Sequence, residues 1–318
     1  MQNIPNKTNG KHQLWIDILK GMGILSIIYA HTTDHKGVFI YAVPLFFILS
    51  GYLHRPMDDF KFFFKKSLQR MLVPYFAFFL LISFYHVITT ESPWLAFISH
   101  IKLLIWGGSN MRGDFGVFWF INVLFIGLNL FNYMQVKHFS RYIYLILFML
   151  ANSLFLWTVN LPWSVQNLPL ALSYMFVGVV IRTHWNRDVI KQLSTVNKCV
   201  LGGVIVATMI CIPNIYLDIK YNNYGIFLLS FMLSIIAVIL LAIISVQLEN
   251  CRYLSSFLAY CGKASLFLMF VHQFIHFKMH IITNEYVVFI WTVTLSLICY
   301  SVVSKFYLGR KLLCGEKQ

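Results

Sequence analysis

The sequence predicts an all-α polytopic membrane protein, with about ten transmembrane helices in a single bundle and both termini in the cytoplasm. The 318-residue chain is 59% apolar and only 11% charged, and its mean hydropathy is +0.71. An ordinary soluble domain has about 45–50% apolar and about 25% charged residues. Long apolar runs recur along the chain, and its cations cluster in alternate connections. These observations exclude a soluble globular protein, a disordered chain and a disulfide-stapled secreted module.

Ten segments have the length and composition of membrane spans. A crossing helix needs about 17–25 mostly apolar residues, because each backbone polar group must find its partner inside the helix. The segments are 15–33, 38–54, 72–89, 116–134, 141–158, 168–183, 199–217, 224–247, 262–280 and 286–306. The first should be a retained span and not a signal peptide, because it carries Asp17 and Lys20 and lacks a cleavage site. The stretch 94–106 is too short to cross alone and should lie at the interface or re-enter.

The placement of Lys and Arg predicts the orientation. With the N-terminus inside, 19 of the 25 lie in inner segments and 5 in outer segments, while Lys20 lies within the first span. Cytoplasmic connections of membrane proteins carry such an excess. We therefore expect a single integral-membrane domain over 1–318, with polar cytoplasmic tails at 1–14 and 307–318. The net charge of +14 then reports topology and contact with membrane lipids, and no nucleic-acid partner is expected.

Common catalytic motifs do not occur in the sequence. The six cysteines form no C-x-x-C pair or metal-ligand spacing, so no metal site is expected; they are at 199, 211, 251, 261, 299 and 314. The phosphate-binding glycine loops, the G-x-S-x-G elbow and the H-E-x-x-H pair are also missing. A histidine base acting on a neutral hydroxyl is the simplest chemistry that remains.

One face of the first span carries three ionisable residues. His31 follows Lys20 by eleven residues, which returns it to within about 20° of the same direction and about 16 Å further along the helix. Asp17 lies about 60° from Lys20 on the same side. Ionisable residues within spans are functional candidates because their burial in lipid is costly. The alternative is an interfacial Asp17–Lys20 pair, with His31 ending the helix among the headgroups.

A second polar stripe lies in the ninth span. Ser265, His272 and His276 fall within about 20° of one face of a continuous helix. His272 and Gln273 are as readily interhelical hydrogen-bond partners as catalytic groups. Trp119, in the fourth span, has the ordinary interpretation of a packing or belt residue.

The inner loop before the third span holds the largest basic cluster, which consists of His54, Arg55, Lys61, Lys65, Lys66 and Arg70. Most of these residues are expected to determine topology near anionic lipid. Arg70 differs because it directly precedes the third span, from which it could reach an anionic ligand that enters from the cytoplasm.

Six segments together resemble the acyltransferase-3 family of multi-pass membrane acyltransferases, and in particular its sugar O-acetylase branch. They follow one another in the family's order and cover nearly the whole chain. The segments are 17–31 (DILKGMGILSIIYAH), 44–54 (PLFFILSGYLH), 65–75 (KKSLQRMLVPY), 118–125 (FWFINVLF), 161–178 (beginning LPW) and 262–272 (GKASLFLMFVH).

The resemblance implies transfer of an acyl group, usually acetyl from cytoplasmic acetyl-CoA, to a hydroxyl of a carbohydrate or glycolipid in the bacterial cell envelope. The protein would lie in the cytoplasmic (inner) membrane, with acyl-CoA as a substrate and no permanently bound cofactor. His31 would be the catalytic base or an acyl-carrying nucleophile. The donor would be bound by Lys20, Arg70 and Lys66. Ser67 stands where many relatives have a basic residue, and Lys66 is a weaker substitute because its ammonium is a point charge. The supporting or acceptor side would comprise Asp17, Ser265, His272 and Trp119.

Two other classes of function fit the spans. A transporter or flippase for a glycan or an acylated precursor would use the two histidine faces for binding or gating. A structural partner of a polysaccharide synthase would have no use for these faces. Measuring transfer of a labelled acetyl group against uptake separates the enzyme from the transporter.

Overall fold

The computed structural model describes residues 13–156, 160–184, 215–279 and 282–315. Within these ranges thirteen α-helices and short 3₁₀ turns form the fold, with no strand beyond an isolated bridge between Asp218 and Asn223. The helices are α1 Leu14–Thr32, α2 Phe39–Leu53, α3 Phe60–Ser67, α4 Val73–Thr89, α5 Pro93–Trp106, α6 Phe118–Val136, α7 Tyr142–Leu156, α8 Leu168–His184, α9 Phe227–Leu248, α10 Arg252–Lys263, α11 Ser265–Lys278, α12 Glu285–Val303 and α13 Tyr307–Leu312.

Seven segments in the described ranges have the length and apolarity of membrane spans, and an eighth is a bent pair. The seven are Leu14–Thr32, Lys36–Leu53, Phe60–Thr89, Gly113–Val136, Pro162–His184, Phe227–Leu248 and Glu285–Val303. The prediction of an all-α, multi-pass membrane protein is confirmed. The count of ten spans and the cytoplasmic termini stay predictions.

Three expected spans differ from the helices found. The segment expected at 199–217 lies outside the described residues except for 215–217, which are not helical. Helix α7 has only 15 residues, fewer than a perpendicular crossing needs. The segment expected at 262–280 is not one continuous helix, because α10 and α11 meet at an angle of 80° next to Ala264. The sequence pattern missed this bend because apolar residues continue on both sides of it.

Helix α1 occupies the centre of the bundle. It packs against α2, α9, α10, α11 and α12, and twelve of its residues are buried. By contrast, α5 has no buried residue, and its position at the interface or as a re-entrant segment stays a prediction. The central position of α1 brings its polar face against other helices instead of lipid.

Two pairs of glycines bring helix backbones into direct contact. A Cβ atom on Gly21 would overlap the carbonyl oxygen of Leu258 on α10, and one on Gly262 would overlap that of Asp17 on α1. Gly51 and Gly178 allow the same approach between α2 and α8. Small residues at such crossings let membrane helices pack closely. These contacts hold α1 directly against α10, and α2 directly against α8.

Candidate active site

His31 lies in the last turn of α1 and faces α11. Its Nδ1 is 3.1 Å from Nε2 of Gln273, and its ring centroid is 5.3 Å from that of His272. Phe39 packs edge-on against the other side of the ring at 5.1 Å. The structure therefore brings together two of the residues singled out from the sequence, His31 and His272, and adds Gln273 as a direct partner.

The protonation of His272 follows from its hydrogen bond. The His272 side chain is fully buried, and its Nδ1 is 2.8 Å from the carbonyl oxygen of Leu268. A carbonyl only accepts, so Nδ1 carries the proton and Nε2 of the neutral ring keeps a lone pair. That Nε2 is buried and has no hydrogen-bond partner among the described residues. It is therefore available to accept a hydrogen bond from a hydroxyl or a water molecule.

Gln273 can set the tautomer of His31 in either of two ways. With its Nε2 toward the ring, the amide donates to Nδ1, and the imidazole proton then lies on Nε2. With its Oε1 toward the ring, it accepts from Nδ1–H and leaves Nε2 of His31 as the basic nitrogen. The two orientations differ only by exchange of the nitrogen and oxygen of the Gln273 amide. When Oε1 of Gln273 faces the ring, Nε2 of His31 can act as a base.

The segment before α6 closes over this pair. A Cβ atom on Gly116 would overlap Oε1 of Gln273, so a larger residue there would displace the amide. Five residues earlier, Met111 is fully buried and its carbonyl oxygen accepts a hydrogen bond of 2.6 Å from Nζ of Lys220. The end of the connection between α5 and α6 therefore lies against Gln273.

A polar cleft lies at the opposite end of α1. It has a volume of about 330 Å³ and is lined by Gln13, Ile16, Asp17, Lys20, Tyr52, Leu53, Arg55 and Arg182. Nζ of Lys20 is 3.5 Å from Oδ1 of Asp17, so the i,i+3 pair named in the alternative interpretation forms. Three cations and one carboxylate make the cleft net positive, as a site for a polyanion requires.

Backbone carbonyls hold the two arginines of the cleft. Nη1 of Arg182 donates to the carbonyl oxygen of Tyr52 at 3.2 Å and also to that of His54. Nη1 of Arg55 donates to the same His54 oxygen at 3.3 Å. Burial lowers the pKa of His54 to about 4, and the charges of Arg182 and Arg55 act in the same direction. His54 is therefore neutral at pH 7 and adds no charge.

The structure separates the residues expected at the donor side. Lys20 lines the cleft, and the exposed Arg70 is near enough for its charge to act on Lys20. Lys66 lies on α3 and does not line the cleft. Sequence reasoning missed Arg55 and Arg182 because it counted them only as topology signals. Arg55 follows the end of α2, and Arg182 lies in the last turn of α8. This position at the ends of two apolar helices is the sequence signal that could have identified the two arginines.

Two residues expected to support the site do not contact His31. Ser265 begins α11, seven residues before His272, which is about 10 Å along the helix axis. Trp119 is buried on α6, where its ring contacts Phe120 at 6.1 Å. Across the described ranges, no three His, Cys, Asp or Glu side chains are grouped so that they could hold a metal ion.

Comparison with known proteins gives one match. No curated protein and no solved structure matches the chain. The acyltransferase-3 family model, described as an acyltransferase domain, matches residues 13–310 and thus contains both the pair of His31 and His272 and the cationic cleft at Lys20. The chain belongs to the acyltransferase-3 family and is a multi-pass membrane acyltransferase.

Proposed function

We propose that this acyltransferase moves an acetyl group from cytoplasmic acetyl-CoA to a hydroxyl of a cell-envelope or exported carbohydrate, as in the sugar O-acetylase branch, in a bacterial inner membrane. One observation carries the proposal. Helix α1 has a cationic cleft at Lys20 and a histidine pair at His31, about 16 Å apart along one continuous helix. A polyanionic, elongated thioester fits this arrangement, because its phosphates can lie in the cationic cleft while its thioester lies near His31.

The inner cleft suits the phosphates of coenzyme A. Guanidinium groups bind phosphate through paired N–H donors, and Arg55 and Arg182 supply two of them beside Lys20. Because backbone carbonyls already hold both arginines, little side-chain freedom is lost on binding. The thioester arm would then extend along α1 toward His31.

His31 would act as the general base. The acceptor hydroxyl loses its proton to Nε2 of His31 as its oxygen attacks the thioester carbonyl, and a C–O bond forms. When the tetrahedral intermediate collapses, the C–S bond breaks and the thiolate of coenzyme A leaves, taking the proton. A positioned base of this kind contributes about 10²–10⁴-fold. Gln273 would orient the ring, and Nε2 of His272 would accept a hydrogen bond from the acceptor. An acyl-histidine intermediate would use the same residues in two steps.

The test is an assay of labelled acetyl transfer, and of glycan uptake, with the purified protein in proteoliposomes. His31→Ala should lower transfer by at least about 100-fold at unchanged protein level, while His35→Ala, an exposed histidine near the same end of α1, should retain it. Lys20→Ala should raise KM for acetyl-CoA more than KM for the glycan. Undiminished transfer by His31→Ala would contradict the role of His31. Uptake of glycan without acetylation would favour a transporter instead.

A further inference from the structure

We propose that the acceptor is an anionic glycan, and that Lys220 and Lys36 bind its acidic group beside His31. The inference rests on the proposed function and adds the class of acceptor. It derives from where the two ammonium groups lie, which hydrogen bonds they leave unused and which nearby carboxylates are already engaged.

Lys220 is connected to His31 through a short series of contacts. It stands on a tight turn that the bridge between Asp218 and Asn223 closes. Its Nζ donates to the carbonyl oxygen of Met111, in the segment whose Gly116 crosses Gln273. Gln273 in turn contacts His31.

Burial lowers the pKa of Lys220 to about 8; the charge of Asp218 opposes this shift, and that of Arg112 adds to it. A partly buried ammonium is costly unless an opposite charge compensates it. The contact with Met111 supplies a dipole and no negative charge, and the charge of Asp218 does not bring the pKa of Lys220 back to its ordinary value. Binding of an anion at this position would add to the compensation that Asp218 provides.

Lys36 approaches His31 from the other side. Its Nζ donates to the carbonyl oxygens of Ala30 and Thr33, both at 2.7 Å, and Ala30 directly precedes His31. These bonds cap the end of α1, where a cation is favourable. An ammonium has three N–H donors. In the described residues, Lys36 therefore has one donor left and Lys220 has two, and these are the donors that we assign to the acidic group of the acceptor.

The nearby carboxylates are engaged elsewhere. Oδ2 of Asp114 is 2.8 Å from His86 and 3.6 Å from Lys278. The remaining acids accept backbone hydrogen bonds, Asp218 from Tyr221 and Glu285 from Asp34. Within the described part of the chain, no carboxylate oxygen pairs with Nζ of Lys36 or Lys220.

Further positive or protonatable groups surround the same position. Lys36, Lys220, His272 and His276 all lie within electrostatic reach of His31, and the exposed Arg112 lies near Lys220. This concentration of positive charge attracts anions to the surroundings of His31 and speeds their encounter with the protein. A neutral sugar would leave this positive charge uncompensated, whereas a sugar carboxylate or a phosphate substituent would compensate it.

The acceptor chemistry can be tested with the unaltered protein. Envelope glycans from cells that carry only the His31→Ala variant serve as acceptors in three preparations: native, carboxyl-reduced to the neutral alcohols, and dephosphorylated with hydrogen fluoride. We expect labelled acetyl transfer to the native glycan and its loss after one of the two treatments, which identifies a carboxylate or a phosphate. Equal transfer to all three overturns the inference and leaves the proposed function standing. No transfer to the native glycan counts against the proposed function itself.

Variants of the two lysines test the site. Lys220→Met and Lys36→Met should each raise KM for the native glycan about 10-fold or more, because a charge-assisted hydrogen bond is lost, while KM for acetyl-CoA stays unchanged. Lys220→Arg should restore most of the affinity. Lys102→Met, which removes an exposed cation on α5, is the matched control. Equal KM values for the Lys220→Met and Lys102→Met variants would overturn the role of Lys220.

Discussion

His31 and His272 could be placed on helix faces from the sequence, but their contact could not. The periodicity of α1 predicts the face that carries Asp17, Lys20 and His31, and this prediction agrees with the ion pair found at its inner end. Periodicity within one helix does not tell which helix lies opposite. The role of Gln273 could not be predicted for the same reason, because it depends on the contact of its side-chain amide with His31 on α1.

Gln273 is a positioning residue, and its replacement should affect turnover more than binding. Gln273→Leu removes the partner of Nδ1, so the His31 ring loses its fixed tautomer and orientation. We expect kcat to fall about 10–100-fold, with KM for acetyl-CoA unchanged. The matched control is Gln135→Leu, since Gln135 donates a hydrogen bond of 3.0 Å to Tyr144 on α7, away from the pair. If Gln273→Leu raised KM for acetyl-CoA at unchanged kcat, the residue would belong to donor binding.

His54 should make the protein sensitive to acid. Its pKa is about 4 in the folded protein against an ordinary 6.5, so between these values the unfolded chain binds more protons. Stability therefore rises with pH across this window and is lost as pH falls through it. We expect His54→Phe, which keeps a ring against Phe63 and Phe131, to lose less thermal stability than the wild type between pH 7 and pH 5. His184→Phe, an exposed control, should lose as much as the wild type does. A wild-type-like loss in His54→Phe would contradict the assignment.

At the scale of elements, the apolar runs predicted most helices to within a few residues. Helix α1 was expected at 15–33 and lies at Leu14–Thr32, and α12 was expected at 286–306 and lies at Glu285–Val303. The bend at Ala264 and the π-helical turn at Leu68–Leu72 were not predicted. The bend has no proline and depends on packing, whereas the π-helical turn directly precedes Val73 and Pro74, and Pro74 has no N–H to donate to the carbonyl oxygen of Arg70.

The contact between α2 and α8 should tolerate no side chain at Gly178. An alanine there overlaps the carbonyl oxygen of Ile48, whereas an alanine at Gly127 meets only the flexible end of Met175, at 3.3 Å. We expect Gly178→Ala to destabilise the protein by about 1–3 kcal/mol. It should also raise KM for acetyl-CoA, because Arg182 follows on the same helix.

Thermal unfolding in detergent and donor kinetics measure both effects. Gly127→Ala should stay close to the wild type in each. If the two variants had equal melting temperatures, the close backbone approach would not be needed.

For the molecule as a whole, both described chain ends lie near one end of the bundle. Gln13 lines the inner cleft with Lys20, and Gly315 packs against the backbone of Arg70. An even number of spans would place both ends on one side of the membrane; the count of ten and the cytoplasmic position of the termini stay predictions. The distribution of Lys and Arg could not show which cations meet in space. The proposed acceptor site left no motif, because Lys36 and Lys220 stand in separate connections.

The topology predicts which loops face the cytoplasm. Single cysteines at Glu91 and Asp59, in a chain without its native cysteines, should react differently with a membrane-impermeant maleimide added to whole cells whose outer membrane is permeable. We expect Glu91→Cys to be labelled and Asp59→Cys to be labelled only after lysis, since the predicted orientation places 55–71 inside and 90–115 outside. Labelling of both in intact cells, or the reverse pattern, would contradict the assigned orientation.

The π-helical turn at Leu68–Leu72 has a consequence for chain length. A π turn accommodates one residue more than an α-helical turn of the same rise, so the chain between Phe60 and Val73 contains one residue that a regular helix would not need. Deleting Gln69 would restore an unbroken α-helix from α3 into α4. Because the wide turn absorbs the extra residue, α3, with Lys65 and Lys66, would keep its side of the bundle relative to α4. The same deletion within a regular α-helix would instead rotate everything before it by about 100°. In this segment, therefore, the chain can lose one residue and keep the orientation of α3.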